Sequence, residues 1–294
     1  MRGICAVLLC FAAAVACKID DRAPDSSRRG VQQSGNTNAE VVPFHVPGDS
    51  EIADPDILQS VRRGRALLRY TRDSLPMHVG NRLACVSCHA SDGTVKNAMP
   101  LVGVYARFPQ YRSRSGRVDL LEDRINDCFE RSMNGRALDR ASRDMRDMVA
   151  YMAFLSRGVP AGAHVDGEGT PPLQLIAGDR ERGATLFASV CSSCHGADGQ
   201  GTSAAPPVWG AQSYNIGAGM ARVGRAASFI RAAMPKNNPG SLTVQQAFDV
   251  AVYINSQPRP DFARKALDWP RGDAPPDVAY TTHAARRARN PNRR

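Results

Sequence analysis

Cys85-Val86-Ser87-Cys88-His89 and Cys191-Ser192-Ser193-Cys194-His195 are the two stretches that decide the fold. Both follow the pattern Cys-x-x-Cys-His, which is typical of covalent attachment of a c-type haem. A zinc site or a thioredoxin-type redox pair is the alternative interpretation. The two motifs lie too far apart for a compact zinc ribbon, and a redox pair does not require the histidine. The sequence therefore predicts two covalently bound haem c groups, attached through Cys85, Cys88, Cys191 and Cys194, with His89 and His195 as iron ligands.

The sequence around each motif follows the same plan. An amphipathic helix precedes each motif, near residues 60–68 and 179–187, and an apolar helix closes each half, near 145–155 and 244–254. Opening helix, haem motif, loop and closing helix make up the plan of a cytochrome c. We therefore expect an all-α fold, with two tandem class I cytochrome c-like haem domains joined by a Gly/Pro linker.

The first residues are typical of an export signal. An apolar run follows Arg2 and is too short to span a bilayer. Ala14-Val15-Ala16 suits ordinary signal cleavage, whereas Val15-Ala16-Cys17 resembles a bacterial lipobox, which would attach a lipid to Cys17. Both alternatives predict a periplasmic protein, and a lipid would anchor it to the outer membrane. The expected segments are a signal peptide at 1–16, a flexible polar tether at 17–50, a first haem domain at 51–157, a linker at 158–174, a second haem domain at 175–258 and an extended basic tail at 259–294.

The second haem needs a sixth iron ligand unless its site is open. Met234 lies well downstream of His195 and is followed by Pro235, which favours extended backbone at the methionine. A methionine in such a place is a usual cytochrome c ligand. Met220 is the alternative, and a methionine of the core is the plain interpretation of either residue. The spacing favours Met234.

The first half has a cysteine at the matching position. Cys128 follows His89 by the same number of residues as Met234 follows His195, and Met133 is the alternative ligand. A free buried cysteine or a disulfide partner is the other interpretation of Cys128. The repeat favours Cys128 as the ligand, and a thiolate would lower the potential of the first haem.

The net charge of +10 is unevenly distributed. Residues 51–157 and 281–294 each carry a net charge of +5, whereas residues 158–258 are neutral. The basic C-terminal residues lack the aromatic side chains that accompany nucleic-acid binding, so we expect a solvated, disordered end and no nucleic-acid partner. The excess in 51–157 indicates a small anion as the partner of the first haem domain.

Arginines surround Cys128 in the sequence. Residues 107–117 contain four arginines and no acidic residue. A helix predicted over 119–134 would place Arg124, Cys128 and Ser132 on one face, because they are spaced four apart. A planar guanidinium forms paired hydrogen bonds with oxyanions. A solvated basic loop is the alternative, but the pattern favours an anion site beside the first haem.

At this point the sequence resembles the dihaem cytochrome c thiosulfate dehydrogenases. The resemblance extends over about residues 55–260, and the segment around Cys128 is its most specific part. The segments that carry it are residues 81–89, 108–114, 124–135, 209–220 and 256–260.

The resemblance implies a reaction in which two thiosulfate ions give tetrathionate and two electrons. It implies that the first haem, with ligands His89 and Cys128, is the reaction centre. The second haem, with ligands His195 and Met234, would pass electrons to a periplasmic cytochrome or another acceptor.

The resemblance also assigns substrate-binding residues. It maps the arginines and the serine of the family's first haem site onto Arg114, Arg124 and Ser132. Some members have an alternative lysine ligand beside the methionine of the second haem, and Ala233 stands at that position here. Two thiosulfate dianions repel each other strongly in a cleft, so the arginines would supply the counter-charge. The sulfur of Cys128 is a candidate for a transient bond to the first thiosulfate.

Other functions fit part of the sequence. The same site could act as a tetrathionate reductase, since sequence does not set the direction of the reaction. A non-catalytic dihaem electron carrier would not need Cys128 or the arginines. An enzyme acting on a carrier-bound sulfur substrate fits the segment around Cys128 less well. A peroxidase would require an open iron site.

Overall fold

A computed structural model describes residues 40–289. The predicted signal peptide, Cys17, most of the predicted tether and residues 290–294 lie outside the described residues. Within this range no helix combines the length and apolar character needed to cross a membrane. The fold consists mainly of helices, with two small two-stranded sheets.

The first half of the described residues contains three strands and five α-helices. In chain order they are β1 (Val41–Val42), α1 (Pro55–Arg69), α2 (Thr71–Ser74), α3 (Ala90–Gly93), β2 (Gln110–Arg112), β3 (Arg117–Asp119), α4 (Leu121–Asp127) and α5 (Arg143–Phe154). Helix α1 begins where the Asp54 carboxylate accepts hydrogen bonds from the Asp56 and Ile57 amides, and Pro55 suits the first helical position. Strands β2 and β3 form an antiparallel hairpin.

The second half begins after a short strand that pairs with the first domain. Its elements and those of the C-terminal segment are β4 (His164–Val165), α6 (Arg180–Leu186), α7 (Ser192–His195), α8 (Val223–Ala233), α9 (Val244–Asn255) and α10 (His283–Arg289). Helix α9 begins with a capping box, in which Thr243 accepts from the Gln246 amide and the Gln246 side chain accepts from the Thr243 amide. The two predicted domains therefore follow one plan of opening and closing helices.

The opening and closing helices of each half cross at a glycine. A Cβ added at Gly64 would lie 1.9 Å from the Asp147 carbonyl oxygen, and one at Gly183 would lie 2.0 Å from that of Asp249. Only glycine allows backbones to approach this closely. In each half, the arginine before the glycine forms an ion pair with the aspartate whose carbonyl lies against that glycine. Arg63 pairs with Asp147 at 2.5 Å, and Arg182 pairs with Asp249 at 2.8 Å. The sequence repeat therefore corresponds to the same crossing of an opening and a closing helix in each half.

Parts of the predicted tether and linker are folded onto the first domain. Strand β1, within the predicted tether at 17–50, pairs in parallel with β4, within the predicted linker at 158–174. Val165 is 2% exposed, and the Gly167 and Gly169 carbonyls accept hydrogen bonds from the Asn97 and Met99 amides. Burial of Val165 and pairing of the strands hold both segments in place, which composition alone did not indicate.

The C-terminal segment also departs from the expected extended tail at 259–294. Phe262, Asp268, Trp269 and Thr282 are all buried. The Trp269 amide donates a hydrogen bond to the Arg114 carbonyl, so this segment returns to the first domain. Residues 259–282, which we call the return segment, are therefore part of the folded protein. The residues from His283 to Arg289 form α10, an exposed helix in place of the disordered end expected from 281.

Candidate functional site

The two haem-binding histidines are oriented in the same way. His89 Nδ1 lies 2.6 Å from the Met99 carbonyl oxygen, and His195 Nδ1 lies 2.8 Å from that of Pro206. A carbonyl accepts, so Nδ1 carries the proton in each ring and Nε2 keeps its lone pair for a metal. The tautomer and the orientation of each histidine ring therefore suit coordination of a metal through Nε2.

The motif cysteines are free thiols. Cys85, Cys88, Cys191 and Cys194 form no disulfide with one another or with Cys128. Burial raises the pKa of Cys85 and of Cys88 to about 12 and that of Cys191 to about 11. The side chains of Cys85 and Cys191 pack against the two separate hydrophobic cores. Free thiols beside an oriented histidine fit a haem attached through two thioether bonds.

Cys128 lies at a change of helix type. Helix α4 ends at Asp127, and a wider π-helical turn runs over Cys128–Ser132. The Met133 amide donates to the Cys128 carbonyl five residues earlier. The predicted helix over 119–134 is therefore wrong at its start and in this turn. Asp119 belongs to β3, where its carboxylate accepts from Ser115 and Arg117. A π-turn often marks a functional site.

The Cys128 sulfur contacts positive charge. Arg124 Nη1 lies 2.9 Å from Cys128 Sγ. Burial raises the pKa of Cys128, but the charge of Arg124 and a hydrogen bond with His89 outweigh it and lower the pKa to about 7. The position of Cys128 beside His89 suits a second ligand for the same iron. Met133, the alternative, is 3% exposed within the hydrophobic core.

The four arginines of residues 107–117 have different partners. Arg107 binds Glu168 of the predicted linker at 3.1 Å. Arg117 is exposed and binds Asp119 and Asp123 at 3.0 and 3.3 Å. Arg112 and Arg114 instead lie inward, towards the charges around Cys128. The sequence alone did not distinguish the inward pair, Arg112 and Arg114, from Arg107 and Arg117, which have acidic partners.

Arg112 and Arg114 are poorly neutralised. Burial lowers the pKa of each to about 10, with Arg124 adding to the effect at Arg112 and Arg131 at Arg114. The Arg112 side chain makes no hydrogen bond within residues 40–289, and its Nε lies 3.9 Å from Asp119. Asp127, beside Cys128, has its pKa lowered by Arg131, Arg124 and Arg114 despite burial. Excess positive charge on partly buried side chains favours an anionic ligand.

Ser132 lies in the same turn as Cys128, and Met234 lies at the end of α8. Ser132 ends the π-turn, and its carbonyl accepts from Asn81 at 2.9 Å. Met234 follows the last residue of α8 in extended backbone. Met234, Met220 and Cys191 all pack against the core of the second half. Both methionines thus stay available as the sixth ligand, and Met234 remains a prediction.

Two asparagines join the π-turn to the second half. Asn81 Nδ2 donates to the carbonyls of Ser132 and Ser213 at 2.9 and 3.0 Å. Asn215 Nδ2 donates to the Glu130 carbonyl at 2.9 Å and to the Asn134 side chain at 3.1 Å. Asn81 and Asn215 are almost fully buried. Three of the segments that carry the resemblance, residues 81–89, 124–135 and 209–220, therefore meet at the π-turn that begins at Cys128.

Comparison with known proteins identifies both domains. The model of the SoxA/TsdA cytochrome c domain matches residues 78–161. That of cytochrome C oxidase, cbb3-type, subunit III matches residues 178–254. Thiosulfate dehydrogenase from Psychrobacter arcticus is 44% identical over 240 residues, which cover 79% of this chain and 73% of that protein. Thiosulfate dehydrogenase from Allochromatium vinosum is 46% identical over 241 residues, covering 77% and 88%.

The chain belongs to the thiosulfate dehydrogenase family. A solved structure of this family, thiosulfate dehydrogenase (TsdBA) from Marichromatium purpuratum, superimposes with a TM-score of 0.71 at 37% identity and covers 76% of this chain. The chain spans about half of that longer protein, 51%. Two tandem cytochrome c domains and two covalently bound c-type haems are thereby confirmed, as is membership of a family of oxidoreductases.

Two residues near Cys128, Arg112 and Arg131, were not among the predicted site residues. Arg112 ends β2, and its spacing of two from Arg114 would place both side chains on one face of an extended chain, which is a signal that could have indicated it. Arg131 lies in the π-turn and binds Asp268 of the return segment at 2.8 Å. No local pattern links Arg131 to Asp268, because the two residues lie in different halves of the chain.

Proposed function

We propose that this protein oxidises thiosulfate, joining two ions into tetrathionate at the Cys128 site and passing two electrons out through the second haem. The observation that carries this proposal is the contact of Arg124 with the Cys128 sulfur, in a buried environment with an excess of positive charge. An anion with a reactive sulfur fits both features. The relatives named thiosulfate dehydrogenase support the choice of anion.

The protein would hold the first haem through Cys85, Cys88 and His89, with Cys128 as a further ligand of its iron. It would hold the second haem through Cys191, Cys194 and His195, with Met234 as a further ligand of its iron. When bound, the two haems supply two one-electron acceptors, the number that the reaction needs.

The arginines have two tasks in this scheme. Arg112, Arg114 and Arg124 offset the repulsion between dianions, which is severe in a buried cleft. Arg124 also stabilises the thiolate form of Cys128, the form that reacts with sulfur electrophiles and acts as a nucleophile. Ser132, at the end of the π-turn, offers a hydroxyl donor to an oxygen of the anion.

In the proposed reaction, Cys128 carries the first thiosulfate, and the atoms and electrons balance in both steps. Its thiolate and one thiosulfate form a sulfur–sulfur bond and release two electrons. The sulfane sulfur of a second thiosulfate attacks this bond, which frees tetrathionate and restores the thiolate. No proton is taken up or released in either step.

The test uses the holoprotein with both haems attached. Thiosulfate is offered with an artificial acceptor and tetrathionate is measured, and the reverse reaction is followed with tetrathionate and a reduced dye. We expect tetrathionate formation by the wild-type protein. Turnover in neither direction would favour a non-catalytic electron carrier, whereas turnover of tetrathionate alone would assign a tetrathionate reductase.

Two variants test the role of Cys128. Cys128→Gly should retain both haems, seen in the absorption spectrum, and lose tetrathionate formation. Met133→Leu keeps the apolar volume of the core and should keep activity. Wild-type turnover by Cys128→Gly would contradict the assignment.

The location and the acceptor are part of the proposal. The apolar N-terminal run and Cys17 support a periplasmic protein, attached to the membrane if Cys17 carries a lipid. A periplasmic cytochrome or another carrier would then take the electrons. Replacement of Cys17 by serine followed by membrane fractionation tests the lipid anchor, since only a lipidated protein changes fraction.

A further inference from the structure

Arg114 is held by the return segment from two directions. Its carbonyl accepts a hydrogen bond from the Trp269 amide at 2.9 Å. Its guanidinium carbon lies 4.6 Å from the centre of the Trp269 indole ring. Trp269 is 2% exposed, so this cation–π contact is shielded from water and correspondingly strong. Trp269 therefore fixes both the backbone and the side chain of Arg114.

The guanidinium of Arg114 nevertheless has donors to spare. Within residues 40–289 its only hydrogen-bond acceptor is the Gly217 carbonyl, 2.7 Å from Nη1. The nearest carboxylate is Asp268, with Oδ2 at 4.0 Å from Nε. A guanidinium has five N–H donors, so most of them lack a protein partner. Arg114 is thus oriented by its neighbours without being neutralised by them.

Asp268 is occupied by other groups. Arg131 binds both of its oxygens at 2.8 Å, and the Tyr280 hydroxyl donates to it at 2.5 Å. Arg131 also binds Asp127, the neighbour of Cys128, at 3.1 Å. The return segment is therefore connected through ion pairs to the π-turn that carries Cys128. Asp268 neutralises Arg131 and leaves the charge of Arg114 exposed to the site.

The return segment extends to the second half as well. Asp277 accepts from Arg222 Nε at 2.8 Å and from the Gly224 amide at 3.0 Å. One continuous segment thus contacts Arg114, the π-turn and the beginning of α8. A loosely attached tail would not make buried contacts with all three.

We propose that Trp269 is a positioning residue of the anion site, which holds Arg114 in the orientation that binds thiosulfate, and that Asp268 assists by pairing with Arg131 and leaving the charge of Arg114 available. The proposal rests on the proposed function and adds that the C-terminal return segment sets the affinity of the site. Trp269 acts through Arg114 and Asp268 acts through Arg131, and neither touches the reacting sulfur atoms.

The test compares variants of the holoprotein in two assays. One gives KM and kcat for thiosulfate with an artificial acceptor, and the other gives the Kd of thiosulfate by calorimetry. Trp269→Leu should raise both KM and Kd about five- to tenfold, as expected for loss of a buried cation–π contact. The kcat should change by less than about twofold, because Cys128 and Arg124 are untouched.

Milder and matched variants keep the test decisive if Trp269→Leu unfolds. Trp269→Phe preserves an aromatic face and should restore most of the affinity. Tyr280→Phe removes one donor to Asp268 and should raise KM by a smaller factor. Leu267→Ala changes an exposed side chain of the same segment, 61% accessible, and should match the wild type in both assays.

A double-mutant cycle separates positioning from general structure. In an Arg114→Ala background, Trp269→Leu should change the Kd by less than about twofold, since the residue it positions is gone. Equal effects in both backgrounds would overturn the inference. A Trp269→Leu variant with the Kd and KM of the wild type would by itself overturn the inference.

The two proposals can fail separately. If the wild-type protein binds thiosulfate without oxidising it, the proposed function is wrong and the Kd series still decides the inference. If it neither binds nor oxidises thiosulfate, both are overturned.

Discussion

Arg124 and Cys128, one helical turn apart, form a hydrogen bond of 2.9 Å between Nη1 and Sγ. The helix changes to a π-turn directly at Cys128. The sulfur therefore contacts the last turn of α4 although its own backbone belongs to the π-turn. A guanidinium and a thiol of lowered pKa thus lie in contact within five residues of the sequence.

Arg124→Gln removes the charge beside the Cys128 sulfur. A hydrogen bond to a charged group contributes roughly 1.5–3 kcal/mol, so kcat/KM for thiosulfate should fall roughly 10- to 100-fold. Steady-state kinetics of the holoprotein give this ratio. Arg117→Gln changes an exposed arginine of the same region and should have wild-type kinetics. An equal loss in both variants would contradict a specific role for Arg124.

Arg112→Gln should separate binding from stability. The Arg112 side chain makes no hydrogen bond within residues 40–289, and burial together with the charge of Arg124 disfavours its charged form. Replacing it should leave the melting temperature unchanged or raise it, while the KM for thiosulfate rises about fivefold through loss of one counter-charge. Thermal unfolding and initial rates measure the two effects. A lower melting temperature with an unchanged KM would assign Arg112 a structural role only.

The two helix crossings make equivalent predictions for stability. Gly64→Ala and Gly183→Ala place a methyl group about 2 Å from a backbone carbonyl, so the helices must separate. Each variant should lose about 3 kcal/mol or more in the free energy of unfolding. Gly219→Ala is the control, because nothing lies within 4 Å of its added Cβ. Denaturant titration compares the three, and a neutral Gly64→Ala would show that the crossing tolerates separation.

Asp249 gives a pH dependence with a defined sign. Burial raises its pKa, but hydrogen bonds from Arg182, the Asp179 amide and Gln245 lower the pKa below its usual value overall. A carboxylate whose pKa is lowered on folding stabilises the protein above its unfolded pKa, about 3.9. This stability is lost as the pH falls through the lower folded pKa. Asp249→Asn should therefore be less stable than the wild type at pH 7.

The measurement is chemical denaturation at pH values from neutrality to below about 4. The difference between Asp249→Asn and the wild type should shrink at the acid end. Gln245→Ala removes only one of the hydrogen bonds and should show a smaller difference of the same sign. A difference that is constant with pH would indicate a packing effect instead.

Local patterns in the sequence were enough for the fold. The haem motifs and the helices around them are encoded by neighbouring residues, so two cytochrome c domains could be predicted and were confirmed. The crossing of α1 with α5 was implicit in the repeat, since Arg63-Gly64 and Arg182-Gly183 occupy matching positions. Near Cys128, a spacing of four predicted that Arg124 and Cys128 share a helix face, and the structure brings the two side chains into contact.

Contacts between distant residues could not be predicted in this way. Arg107 binds Glu168 and Arg114 stacks on Trp269, yet the sequence around Arg107 and Arg114 looks alike. Which arginine faces the site depends on the acidic or aromatic residue that the folded chain brings to it. The same reason explains why residues 259–282 were predicted as a tail, because their apolar residues are too few and scattered to indicate burial.

The return segment is separate in the sequence from the residues predicted to bind the haems. Trp269 and Asp268 follow both haem motifs, so proteolytic cleavage just before Asp268 would leave both motifs, Cys128 and Met234 in the remaining chain. In that chain Arg131 would lack its carboxylate partner and Arg114 would lack the aromatic ring beside it. Haem attachment and the arrangement of these two arginines would then depend on different parts of the chain.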